Sequence, residues 1–321
     1  MSIASQLQAY QNGLTDAYNM VSQKGGTMPV HKNMSSLASS IATIPSGGSF
    51  VGIQRGVDAN GVYGFPVQNF SFSLPSNATS IGTYSLYYAF RNCTTLTSVD
   101  LSSLTAASES NAFSNAFNGC TSLTSVDLSS LTTVNASNVF EAAFSRCTSL
   151  TSVDFSSLDT VKGSFAFSNA FNGCTSLTSM SFPALTTLSS GNCFNYILRG
   201  CTNLTSVSFS ALTTVNAGSV FTYAFYGCSG LTSMSFPVLD TLTGSSAFNQ
   251  AFYNCTSLTS VRFPALTTSS FGSNTSQFNN MLSGCTGVTV HFPSAIQSTI
   301  GNWSSVTAGF GGTNTTVSFD L

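Results

Sequence analysis

A cysteine recurs every 27 residues, at Cys93, Cys120, Cys147, Cys174, Cys201, Cys228 and Cys255, and Cys285 follows after 30. Self-similarity at a fixed period of this length marks a stacked-repeat architecture, in which each copy adopts the same local conformation and buries its apolar stripe only against its neighbours. Other residues travel with the cysteine. Leu stands three positions after it from Leu96 to Leu258, and Val or Met six after from Val99 to Val261. Leu or Phe stands eight after from Leu101 to Phe263, and Leu eleven after from Leu104 to Leu266. A chain that returns to the same place every 27 residues accounts for all these columns together.

Within one period two patterns alternate. Val99 and Leu101 are apolar while Ser98, Asp100 and Ser102 are polar, and this period of two predicts a short strand with one face buried. Upstream of each cysteine, Leu or Phe stands at −7 (Leu86 to Phe278), a small or apolar residue at −4, and Phe or Leu at −3. Steps of three and four place such side chains on one stripe of a helical segment. Gly or Asn at −1, as in Asn92, Gly119 and Gly173, fits its left-handed C-cap, with Arg146 the exception. The expected fold is therefore an α/β solenoid of about eight 27-residue strand-turn-helix coils sharing one parallel sheet.

The surface of such a rod has to be polar, yet only 6% of the 321 residues are charged. The chain's 58 Ser and 40 Thr supply the polarity instead. A net charge of −2 offers no basic footprint for a phosphate backbone, so nucleic acid is excluded as an expected partner. No run approaches the roughly 18 apolar residues of a membrane span. The first ten residues lack a basic region and an apolar core, so no classical signal peptide is visible.

The unit F-x-x-A-F-x-G-C-T-S-L-T-S-V-x-F-P-A-L-T-T-V, nearly complete from Phe167 to Leu188, resembles the BspA-type leucine-rich repeat. That family occurs in bacterial surface adhesins, parasite surface proteins and phage-encoded proteins. The resemblance covers about Tyr84 to Phe292 and implies a leucine-rich-repeat fold and a binding or surface role.

Four segments are expected. Residues 1–45 read as a helical hairpin for anchoring or oligomerisation, with Ile3, Leu7, Tyr10, Leu14, Tyr18 and Val21 on one stripe before Gly25-Gly26. This segment, with its Lys-Gly-Gly-Thr-Met-Pro-Val run, resembles the N-terminal segments of phage tail and fibre-associated proteins. Residues 46–83 form a linker and N-terminal cap, 84–292 the solenoid, and 293–321 a C-terminal cap. In that last cap, Ala295 to Trp303 is expected as a short helix and 315–321 as a final strand, with Trp303 sealing the core.

Catalysis requires convergent titratable groups, and here the only histidines, His31 and His291, have no neighbour that the sequence identifies. No phosphate loop, metalloprotease motif or close ligand set appears, so no enzyme activity, cofactor or metal is expected. The cysteine column reads as buried free thiols in a structural repeat (Cys93, Cys120, Cys147, Cys174, Cys201, Cys228, Cys255, Cys285), because aligned side chains do not have the crossed geometry of a disulfide. Cys193 lies outside that register.

Two candidate binding sets remain. The outward column of the strands reads Asp100, Asp127, Asp154, Ser181, Ser208, Ser235 and Arg262. On the helical side, Tyr87, Tyr88, Tyr196, Tyr223, Tyr226 and Tyr253 offer amphipathic rings suited to sugars and protein interfaces. The sequence thus points to a non-enzymatic structural and recognition protein. The leading expectation is a phage virion component, a tail fibre or a receptor-binding or decorating protein, directed at a host-surface protein or glycan receptor. The alternative is a bacterial surface adhesin or a subunit of a self-assembling extracellular filament. Either placement is on a virion or extracellular surface, with virion or self-assembly partners held through residues 1–45 and a homo-oligomer expected.

Overall fold

The computed structural model describes residues 70–74, 76–267, 276–298 and 303–321. The expected hairpin, His31 and most of the linker lie outside the described residues. Strands stack into a front ladder, lying at +5 to +7 in the coils of Cys120 to Cys255. Its members are Phe70–Ser73, Leu96–Asp100, Ser125–Asp127, Ser152–Asp154, Ser179–Ser181, Ser206–Ser208, Ser233–Ser235, Ser260–Arg262, Thr289–His291 and Thr316–Ser318. Every recorded pairing between them is parallel and places like above like: Ser98, Ser125 and Ser152 share one rung position, Val99, Val126 and Val153 the next, Asp100, Asp127 and Asp154 the third. The register is fixed because a slip of one residue would turn the valines out and the aspartates in.

A second ladder, not anticipated, runs along the side. The two-residue strands Ala106–Ala107, Thr133–Val134, Thr160–Val161, Thr187–Leu188, Thr214–Val215 and Thr241–Leu242 pair in parallel. Threonine holds both ladders at their margins. Thr124, Thr151, Thr205 and Thr259 each donate from Oγ1 to the carbonyl of the threonine 27 residues earlier, at 3.0 to 3.1 Å, and Thr124, Thr151, Thr205 and Thr259 also bond those carbonyls through their amides. These hydroxyls are thereby structural.

The expected helical third of each coil is a correction. The segment before each cysteine is a succession of β-turns, and the seven-residue helix Trp303–Gly309 is the one α-helix among the described residues. Alternate amides take different routes. Those of Ala143, Ser145 and Cys147 close turns on the carbonyls of Phe140, Ala142 and Phe144, three residues back. Those of Phe140, Ala142 and Phe144 donate to Ala166, Ser168 and Ala170 of the next coil, each at 2.8 Å. From Phe140 to Cys147 every backbone donor finds an acceptor, and half of the bonds join neighbouring coils, which an α-helix would forgo by spending them internally. This geometry requires positive φ at −9, −5 and −1, as at Asn111 (58°), Asn115 (56°) and Gly119 (77°). Arg146, the apparent exception at −1, adopts the same conformation with φ 61°.

The three walls enclose one core. The Leu and Phe columns, the Val column apart from the half-buried Val153 and Val207, and all eight repeat cysteines are buried in it. Rings pile along the axis: Phe90, Phe117, Phe144 and Phe171 stack with centroids 5.3 to 5.4 Å apart, and Phe155, Phe182, Phe209, Phe236, Phe263 and Phe292 at 5.2 to 5.7 Å. Such spacings lie in the favourable range for aromatic pairs. At the C-terminal end a 3-10 turn, Ser294–Ile296, replaces the start of the expected helix, and the α-helix begins at Trp303 where it was expected to finish. Trp303 is half-buried against Phe292 and Phe319, and its indole donates to the Gln297 carbonyl at 2.7 Å. Thr316–Ser318 adds the last parallel strand.

Candidate recognition surface

The outward column of the front ladder opens onto a shallow trough of about 750 Å³. Ser98, Ser125, Ser152, Asp100, Asp127, Asp154, Ser181 and Pro183 are among its lining residues, so the trough occupies the acidic part of the column. Ser208 and Ser235 continue the column in the next coils, and Arg262 follows them, paired across the ladder to His291. Each aspartate already has a local task. Asp100, Asp127 and Asp154 accept a bond from the amide of Ser102, Ser129 and Ser156 at 2.8 to 2.9 Å, closing the turn that follows the strand. In later coils Pro183, Pro237 and Pro264 hold that amide's position, and Ser181, Ser235 and Arg262 replace the aspartate. Proline has no amide to donate and sets its own φ, so the acceptor is no longer needed. The column thus follows turn chemistry except at Ser208, which precedes Ser210 and not a proline, and among the described residues no three acidic, His or Cys side chains are arranged to hold a metal ion.

The repeat thiols are donors inside the core. Sγ of Cys120, Cys147, Cys174, Cys201, Cys228 and Cys255 donates to the carbonyl 30 residues earlier, at 3.0 to 3.2 Å, and Cys285 donates to Phe252 at 3.0 Å. All nine cysteines, Cys93 and Cys193 included, are free and buried. Burial pushes the thiols of Cys147, Cys193 and Cys201 up to about 12 and that of Cys285 to about 11, because the thiolate would lose its hydration. Such thiols are poor nucleophiles.

On the turn wall the tyrosines are brought together. Tyr196 and Tyr223 stack at 4.7 Å, Tyr226 and Tyr253 at 4.9 Å, and the Arg199 guanidinium lies 5.0 Å from the Tyr226 ring and 5.6 Å from that of Tyr196. Burial, followed by the neighbouring Tyr223, raises the Tyr196 hydroxyl's pKa against the opposing effect of Arg199. A similar group, Tyr84, Tyr87, Tyr88 and Arg91, stands at the N-terminal end.

A family model described as the BspA type leucine rich repeat region (6 copies) matches residues 63–196, 114–221 and 168–303. The chain belongs to the BspA type leucine rich repeat family. No curated protein matches it. Among solved structures, it is similar to a leucine rich repeat protein of T. pallidum, at 18% identity over 82% of this chain and 96% of the other, with a TM-score of 0.37. A leucine-rich repeat protein from Eubacterium ventriosum matches at 16% identity over 70% of this chain and 66% of the other, with a TM-score of 0.27.

Within this leucine rich repeat framework His291 is not solitary, as the sequence suggested. Its Nδ1 lies 2.8 Å from Asp320 Oδ1, a contact that holds the Asp320 carboxyl below the usual range. The Ser318 hydroxyl bonds to the same carboxylate. The acid therefore lies between hydroxyl and imidazole, whereas activating a serine needs the imidazole in the middle. Sequence reasoning missed the arginines beside the tyrosines. The signal was present in the spacing shared by Tyr88 and Arg91 and by Tyr196 and Arg199, at −5 and −2 from their cysteines. No helix among the described residues is long and apolar enough to cross a membrane.

Proposed function

We propose that this leucine rich repeat protein is a non-enzymatic recognition protein that binds a host-surface protein along the front trough. The observation that carries the reading is the division of labour within the repeat. Cysteines and threonines are engaged in holding the rod together, while the outward column, which turn chemistry does not fix at Ser208 or Arg262, changes from Asp to Ser to Arg along the axis. A surface that varies along a regular scaffold can distinguish partners, and leucine-rich stacks create extended faces for this purpose. In this reading residues 84–292 recognise, residues 1–45 anchor or assemble the chain into a homo-oligomer, and the flanking segments 46–83 and 293–321 cover the core. The resemblance of residues 1–45 to phage tail and fibre segments favours a virion over an adhesin or a filament.

The test is capture from an array of purified surface proteins by the full chain and by a D127K/S181K/S208K variant, which keeps the buried columns and inverts the trough's character. Specific capture by the full chain, lost by at least about tenfold in the variant, is expected, since like-charge and desolvation penalties of roughly 1.4 kcal/mol suffice. Capture of nothing, or equal capture by both, overturns the reading.

A further inference from the structure

The repeat supplies its own controls for the turn wall. In the coils of Cys120 and Cys174, positions −5 and −2 are both Asn, and the pair is closed by a side-chain bond, Asn118 Nδ2 to Asn115 Oδ1 at 3.2 Å and Asn172 Nδ2 to Asn169 Oδ1 at 3.1 Å. Asn suits −5, where φ is positive at 56° in both, because its short side chain tolerates the left-handed region. In the coils of Cys93 and Cys201 the same two positions carry Tyr88 with Arg91 and Tyr196 with Arg199. The tyrosines hold φ 57° and 54°, and Tyr223 follows at 53°. A bulky residue with positive φ is an outlier that the fold does not require here, since Asn performs the structural task in neighbouring coils.

What these substitutions add is a cationic, hydroxyl-bearing ridge. Each arginine lies over the tyrosine of its own coil, at 5.1 Å for Arg91 on Tyr88 and 5.6 Å for Arg199 on Tyr196. Arg199 is exposed, neither arginine forms an ion pair with a described residue, and the buried Nε of Arg91 has no hydrogen-bond partner among them. The ring pairs are nearly coplanar in orientation, at 6° for Tyr196 and Tyr223 and 2° for Tyr226 and Tyr253. Stacked rings cover one another's negative faces and leave the positive edges for a partner. Arg146 lies on the same wall between the two groups. Glu141 is the opposing carboxylate there, and burial raises its pKa, while Glu109 at the wall's corner accepts a bond from Thr83 at 2.6 Å.

We infer that the turn wall binds an acidic polysaccharide, a uronic-acid chain laid along the rod and held at Tyr88/Arg91 and again at Tyr196/Arg199 with Tyr223, Tyr226 and Tyr253. The two grips stand four coils apart, on the order of 20 Å at the usual strand spacing, so the ligand is a polymer. An acidic peptide fits less well. The wall's amides are spent on turns and on the next coil, leaving no free strand edge, and the described pockets lie on the front face and at the C-terminal end. Guanidinium groups and phenolic hydroxyls match carboxylates and sugar hydroxyls instead. The inference rests on the recognition reading above but uses a different wall.

The experiment is calorimetric titration of the full chain with oligogalacturonate, against neutral dextran and poly-glutamate, in low and high salt. The Y88N/R91N and Y196N/R199N variants install the Asn–Asn pair of neighbouring coils, so folding is retained and is checked by an unchanged melting transition. Expected are binding of oligogalacturonate alone, weakening with salt, and loss by about tenfold or more in each variant, from removal of a charge-assisted contact. Unchanged affinity in both variants, equal binding of dextran or of poly-glutamate, or no binding of oligogalacturonate overturns the inference. The Y88N/R91N and Y196N/R199N variants leave the front face untouched and should still capture the surface protein, which separates failure here from failure of the front-trough reading.

Discussion

The front ladder and the turn wall are built from the same repeat and obey different rules. In the front ladder each residue's role follows from its neighbours in sequence: alternation of Ser, Val and Asp turns every second side chain inward, and stacking reproduces that arrangement coil after coil. In the turn wall the apolar residues at −7, −4 and −3 are buried as a helix would bury them, yet no α-helix forms there among the described residues. Burial alone is therefore a poor guide to backbone conformation. The competition between coils for hydrogen bonds decides it.

The largest effect that would sharpen this comparison is alkaline unfolding, because the repeat thiols sit where wall and strand meet. Their pKa values are raised in the folded state, to about 12 for Cys147 and Cys201, from an ordinary value near 9.0. Above pH about 9 the unfolded chain loses thiol protons that the folded chain retains, so stability is intact below that pH and falls as pH rises toward 12. Each such thiol contributes a slope of roughly 1.4 kcal/mol per pH unit. Circular dichroism against pH should show one cooperative loss of both regions in that window. Loss of the wall before the ladder would show that they are not one core.

Next in size is Phe144→Ala. This ring lies in the wall between Phe117 and Phe171, at 5.3 and 5.4 Å, and is fully buried. Removing it should cost about 3–5 kcal/mol in urea denaturation, against under about 0.5 kcal/mol for the exposed front residue Ser152→Ala. Equal costs would contradict the wall's packing.

The smallest and most specific test compares glycine in the two regions. Ala142 holds φ 50° in the wall, so Ala142→Gly relieves roughly 1–2 kcal/mol of left-handed strain and pays back about 0.4–1 kcal/mol of chain entropy. A net gain of about 0.5 kcal/mol is expected. Ser152→Gly in the front strand should lose about 0.5–1 kcal/mol. Two losses of the same size would argue that the wall is helical after all.

Legibility divided along the same line. The 27-residue return, the parallel register and the buried thiols could be read because identical side chains at a fixed spacing have to lie over one another. The turn wall could have been read from Asn111, Asn115 and Gly119, three residues tolerant of positive φ at steps of four, but apolar steps of three and four are shared by helices and by this run of turns. The two-residue side strands, such as Thr133–Val134, are too short for any alternation to show. The tyrosines stood out by type; the spacing also carried their arginines, Arg91 and Arg199, but the approach of Arg199 to Tyr226 of the next coil is visible only in space.

By itself the amino-acid order determined that the chain winds into a rod and which columns fill it, since periodic burial is a local property repeated. Tertiary structure alone decided the path of the backbone between those columns and which surface groups meet. Both depend largely on bonds and ring contacts that reach from one coil to the next, as from Phe140 to Ala166 or Tyr196 to Tyr223, and a short window holds only one partner of each.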